Sequence, residues 1–140
     1  DLIKAYKKRL FGANPAEQAK FARAWTAWEN ALASLESPGF GSSPSTDYAK
    51  AFARLENHYF SNKGFLKADN QIFNNLHLVK HIPLTIVQGR YDMICPPSSA
   101  QSLHHKWPES KLIMVPTAGH AMSEPGIASA LIATMDKLKN

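Results

Sequence analysis

Apolar residues in the first half of this chain recur at steps of three and four. Phe21, Trp25, Trp28, Leu32 and Leu35 form one such series, and Tyr48, Phe52, Leu55 and Tyr59 form a second. That spacing predicts two amphipathic helices. A shorter amphipathic stretch, Lys4 to Leu10, precedes them and ends at Gly12 and Asn14, ahead of Pro15, a residue suited to a helix's first turn. Residues 37–46, Ser-Pro-Gly-Phe-Gly-Ser-Ser-Pro-Ser-Thr, read as a loop.

The second half changes period. Leu76 to Lys80 looks like the end of a short helix, and Pro83-Leu-Thr-Ile-Val-Gln88 is a β-branched run expected to form a buried strand. Gly89-Arg-Tyr-Asp92 is its exit loop, and Ser98 to Trp107 reads as a helix. Lys111-Leu-Ile-Met-Val115 predicts a second strand with Pro116-Thr-Ala-Gly-His120 as its exit loop. Pro125 to Leu138 closes the chain as a helix with Ile127, Leu131, Met135 and Leu138 on one face. Strand–helix–strand–helix is the order of a parallel sheet. Two parallel strands need neighbours to cover them. The fold class expected is therefore α/β: the C-terminal part of a larger sheet, residues 71–140, preceded by a helical segment, residues 1–70.

Composition narrows the function classes. Of 140 residues, 44% are hydrophobic and 19% charged, which is a globular balance. The net charge of +5 is spread along the chain apart from Lys7-Lys8-Arg9. No basic stripe interleaves with aromatics, so nucleic acid is not an expected partner. No apolar run approaches the roughly 18 residues of a membrane span. Cys95 is the single cysteine, which rules out an intrachain disulfide and fits a reducing, cytoplasmic setting.

The candidate chemistry lies in the two strand-exit loops. In open α/β sheets, functional groups sit beyond the carboxyl ends of the strands. Asp92 and His120 both occupy that position, and each follows a glycine, Gly89 or Gly119, expected to let the backbone turn sharply. Asp92 could fix one ring nitrogen of His120, leaving the other to take a proton from a nucleophile. An acid followed by a base, on successive strands, is the order of the last two members of an α/β-hydrolase triad. The Gly-x-Ser-x-Gly elbow that would carry the nucleophile does not occur. Gly39-Phe-Gly41-Ser-Ser43 comes nearest and fails to match, so the nucleophile is expected upstream of Asp1. Cys95 is the internal competitor, but it stands three residues after Asp92 on the same loop and reads better as a small wall residue.

Glu29 and Glu56 each lie roughly 80° from the centre of their helix's apolar stripe, a border position where a carboxylate can be partly buried. Two such carboxylates among aromatics could receive an ammonium group. Periodicity alone leaves them as boundary residues.

Four segments make the chain familiar: Trp25-Thr-Ala-Trp28-Glu29, Arg54-Leu-Glu56-Asn-His-Tyr-Phe60, Gly89-Arg-Tyr-Asp92-Met-Ile-Cys95-Pro96 and Gly119-His120-Ala-Met-Ser-Glu124-Pro-Gly126. Together they closely resemble the prolyl aminopeptidase (proline iminopeptidase) family. The resemblance implies an α/β-hydrolase with an inserted helical cap, most of it within residues 1–70. It implies Asp92 as triad acid, His120 as triad base, Glu29 and Glu56 as the grip on the substrate's free amino terminus, and Phe60 and Cys95 as positions near the proline-ring pocket. It also implies a peptide with N-terminal proline as substrate, no metal and no organic cofactor. The family's serine and oxyanion hole match nothing in this sequence, so the chain alone is expected to be inactive and to need the missing N-terminal half or to self-associate.

Other residues carry weaker signals. His77 and His81 have helical spacing for a metal but lack a third ligand, and His104-His105 reads as solvated surface. His58 could support Glu56, Arg90 could pair with a carboxylate near Asp92, and the Trp25/Trp28 stripe reads as core. An esterase, an epoxide hydrolase or a non-catalytic hydrolase-like module remain the alternative functions.

Overall fold

The computed structural model describes residues 1–35 and 44–139. The Gly39–Ser43 stretch and most of the loop over 37–46 lie outside the described residues. The chain divides into two compact units, Asp1–Ala31 with Pro38–Asp69, and Leu32–Ser37 with Asn70–Asn140.

The described part of the first unit is helical. α1 (Leu2–Leu10) starts at Asp1, whose carboxylate accepts from the Ile3 amide at 3.0 Å. α2 (Pro15–Ala33) starts at Asn14, whose side-chain oxygen accepts from the Ala16 and Glu17 amides at 3.0 and 3.2 Å. α3 (Thr46–Ser61) is capped by Ser45, which accepts from Tyr48 N at 3.2 Å. Each cap satisfies amides that have no partner inside their own helix. α3 also holds α1: the Asn57 amide donates to Ile3 O at 3.0 Å and Arg54 Nε donates to Leu10 O at 2.9 Å.

The packing face of this unit corrects the sequence reading. Its core is Leu10, Ala22, Trp25, Ala49 and Ala53, with Ile3, Tyr6, Phe21 and Phe52 packed against it. Ala49, Ala53 and Asn57, not the aromatic stripe, are the buried positions of α3, while Tyr48, Leu55 and Tyr59 are about half exposed or more. Trp28 is 65% exposed, so the Trp25/Trp28 stripe is core at Trp25 only. Small residues let backbones approach closely, and that contact selects the alanine face over the larger apolar side chains.

The second unit contains the sheet. β1 (Thr85–Gly89) pairs in parallel with β2 (Lys111–Val115), Thr85 opposite Lys111 and Gly89 opposite Val115. The strand starts two residues later than the apolar run suggested. Pro83 has no amide hydrogen to contribute, and Leu84 contributes only its carbonyl, to Lys111 N at 2.8 Å. The short α4 (Gln71–Asn74) and a 3-10 turn, Leu76–Leu78, precede β1. α5 (Pro97–Lys106) joins the strands, and α6 (Pro125–Asp136) closes the unit. Val115, Ala118 and Ile127 form its core, with Val87, Ala130 and Leu131 against them. Burying Val115 and Ile127 stabilises by about 1.5–3 kcal/mol each, which fixes α6 on the sheet and with it the loop between β2 and α6. No helix among the described residues is long and apolar enough to cross a membrane.

Candidate active site

The exit loops of β1 and β2 lie directly against one another. Arg90 N donates to Val115 O and Tyr91 N to Ala118 O, both at 2.9 Å. Gly89 permits this approach: a Cβ there would stand 1.9 Å from Gly119 O and 2.6 Å from Ala118 O. Neither Gly89 nor Gly119 has a positive φ, so what Gly89 provides is the absence of a side chain and not a sharp turn. This replaces the backbone-turn reading made from the sequence.

Asp92 and His120 meet across these loops. His120 Nδ1 is 3.0 Å from Asp92 Oδ2. The other carboxylate oxygen, Oδ1, accepts from the amides of Ile94 at 2.9 Å and Cys95 at 2.7 Å. Asp92 is buried, while the His120 side chain is 40% exposed. Burial by itself would raise the Asp92 pKa. The Cys95 amide, the His120 ring and the Ile94 amide outweigh it together and hold the carboxyl below its ordinary value. Asp92 is therefore a carboxylate at neutral pH, able to keep a proton on Nδ1. No hydrogen bond from the described residues occupies His120 Nε2, so that nitrogen can accept a proton from a reacting group.

The histidine loop is fixed by its backbone. The His120 and Ala121 amides both donate to Ala33 O, at 2.8 and 2.6 Å. Glu124, at the start of α6, accepts from Leu35 N at 2.6 Å through Oε1 and from Gly119 N through Oε2. Sequence reasoning quoted Glu124 within a motif without seeing this clamp. The available signal was a carboxylate one residue ahead of Pro125 at a helix start, where it can collect free amides.

Cys95 adjoins Asp92 through its backbone. The residue as a whole is exposed, yet partial burial of the thiol and then the Asp92 charge push its pKa up. A thiol held protonated is a poor nucleophile, which favours Cys95 as a wall over Cys95 as attacker.

In the first unit, Glu56 and Glu29 are both partly buried. Trp25 Nε1 donates to Glu56 Oε2 at 2.6 Å, and Glu29 lies one turn beyond Trp25 on α2. The Phe60 ring is 6.1 Å from the Trp25 ring and half exposed. Trp25, Glu56 and Phe60 therefore form one cluster in which an indole orients a carboxylate beside an open aromatic face. The sequence had given Trp25 only as core; the donor role of its nitrogen becomes visible once α2 and α3 are paired.

The remaining candidates separate from these groups. His58 packs on Phe65 and Tyr59, with ring centroids 5.4 and 6.0 Å away. Arg90 is exposed, and its guanidinium has no carboxylate partner among the described residues. His104 is not simply solvated surface, since Nδ1 is 2.8 Å from Ser110 Oγ. His77, His81 and His105 are exposed.

The chain is also similar to known proteins. A family model described as "TAP-like protein" matches residues 66–137. A probable proline iminopeptidase from Leptolyngbya boryana is 47% identical over 139 residues, covering 98% of this chain and 43% of that protein. The proline iminopeptidase of Arabidopsis thaliana is 45% identical over 140 residues, covering 99% of this chain and 37% of its own length. That of Neisseria gonorrhoeae is 41% identical over 138 residues, at 98% and 43% coverage. The chain thus spans less than half the length of the curated relatives it matches. Among solved structures, an esterase from Exiguobacterium antarcticum superposes with a TM-score of 0.59 at 13% identity, over 99% of this chain and 46% of that one. That likeness shows the α/β-hydrolase fold.

Proposed function

Since this chain belongs to the TAP-like protein family and has the α/β-hydrolase fold, we propose that it supplies the acid, the base and the amine receptor of a serine aminopeptidase that releases N-terminal proline from peptides. The observation carrying this reading is the 3.0 Å contact between His120 Nδ1 and a buried carboxylate whose far oxygen is held by two amides. The names of the relatives supply the substrate class.

In this mechanism a serine outside the present sequence attacks the carbonyl carbon of the first residue. His120 Nε2 takes the hydroxyl proton as the C–O bond forms, and Asp92 stabilises the resulting imidazolium. His120 then gives that proton to the departing amine as the C–N bond breaks, leaving an acyl-enzyme. Water, deprotonated by the same nitrogen, then attacks the ester carbonyl; the C–O bond to serine breaks, His120 returns the proton to the serine oxygen, and free proline leaves. Glu29 and Glu56 receive the substrate's ammonium group through charge-assisted hydrogen bonds.

The test is an assay of the protein carrying this chain on proline p-nitroanilide and on its N-acetylated counterpart. Cleavage of the free amine substrate, with the blocked one turned over poorly, is the expected result. Equal turnover of both would favour an esterase-like hydrolase with no amine receptor.

A further inference from the structure

Gln88 lies at the carboxyl end of β1, and its side chain is buried, with the residue 9% exposed. Its amide nitrogen stands 3.2 Å from Asp92 Oδ2, 3.1 Å from Gly89 O and 3.1 Å from Cys95 O. All three neighbours are acceptors. The amide must therefore present its nitrogen to them, because its oxygen would meet three other oxygens. Asp92 Oδ2 is also the oxygen that faces His120 Nδ1.

We propose that Gln88 is a positioning residue for the acid–base pair: its amide fixes Asp92 Oδ2 toward the His120 ring and ties together the Gly89 and Cys95 ends of the loop that carries Asp92. The carboxylate torsion of an aspartate is broad and intrinsically soft. The Ile94 and Cys95 amides hold Oδ1, and a donor on Oδ2 removes the rotation left over. The neutrality of the donor matters as well. A lysine or arginine here would neutralise Asp92 and weaken its hold on the imidazolium. A glutamine donates without competing for that charge. The same amide nitrogen also donates to the carbonyls of Gly89, which already accepts from the Asp92 amide, and of Cys95, three residues beyond Asp92.

The experiment compares Gln88→Met, which keeps the shape and removes the donor, with the unaltered protein carrying this chain. The kinetic arm rests on the proposed aminopeptidase reading. There kcat for proline p-nitroanilide should fall about 10- to 100-fold, the loss expected for a hydrogen bond to a charged group, while KM holds. The second arm needs no substrate: the low-field NMR resonance of the His120 Nδ1 proton should move or broaden in the variant. Should Gln88→Met fail to fold, Gln88→Leu removes the donor with a smaller apolar side chain, and the same fall in kcat at constant KM is expected. An unchanged Nδ1 resonance, or either variant turning over within about twofold of the unaltered protein, would overturn the role of Gln88. Absence of proline p-nitroanilide cleavage by the unaltered protein would sink the aminopeptidase reading instead, and the NMR comparison would still decide the role of Gln88.

Discussion

The two strand-exit loops and the α2–α3 helix pair hold their carboxylates in different ways. Asp92 is enclosed: both oxygens have partners, and three of those are supplied by its own strand and loop. Glu56 has one oxygen oriented by Trp25 and sits beside half-exposed Phe60. The difference suits the two tasks proposed for them. A group that must hold a histidine through every step gains from being saturated by its own protein. A group that must receive an external cation has to leave capacity unused. Glu124 extends the first pattern, since it fixes the histidine loop through backbone amides alone.

That contrast can be broken most severely at the enclosed end. Asp92→Asn keeps the outline but removes the charge and permits the wrong histidine tautomer. It should lower kcat by about four orders of magnitude with little change in KM, measured by steady-state kinetics on proline p-nitroanilide. Gly89→Ala should come next. Its new Cβ would meet Gly119 O at 1.9 Å, so the loops must part. The expected loss is about 1–3 kcal/mol of stability, read from urea unfolding, together with a fall in kcat as Asp92 and His120 separate.

At the open end the effects should be smaller and should appear in binding. Glu56→Gln should raise KM for the free amine about 10-fold or more, as a charge-assisted bond becomes a neutral one. Trp25→Phe should raise KM by less, because the carboxylate keeps its charge and loses only one donor, the one that aims it. A comparable loss of kcat in these two variants would erase the distinction between the regions.

Acid stability sharpens the comparison further. The folded pKa of Asp92 lies below its unfolded value. Its contribution to stability is therefore fully present above the unfolded value and is lost as pH falls through the folded one. Urea midpoints should drop more steeply with acidification in the unaltered protein than in Asp92→Asn. Parallel curves would mean that Asp92 gains nothing from its two amides and His120.

The sheet and its loops were legible in the sequence because β-branched runs ended in Gly-containing loops at two successive places. The contact between Asp92 and His120 followed from parallel neighbouring strands. The first unit was less legible. Tyr48, Leu55 and Tyr59 dominate the apolar pattern of α3, but Ala49 and Ala53 make its core contact. Periodicity weights side chains by size and apolarity, whereas close helix packing selects small ones. Gln88 and Glu124 were silent for another reason. A neutral amide at a strand end and a glutamate before a proline have no periodic signature, and their partners become evident only when loops distant in sequence are brought together.

The proposed function requires both an acid–base pair and a receptor for a free amino terminus, and the ratio of kcat/KM for proline p-nitroanilide to that for N-acetylproline p-nitroanilide tests that requirement most directly. The unaltered protein should strongly favour the free amine, and Glu29→Gln combined with Glu56→Gln should collapse that preference while leaving turnover of the blocked substrate in place. A preference that survives the double substitution would contradict it.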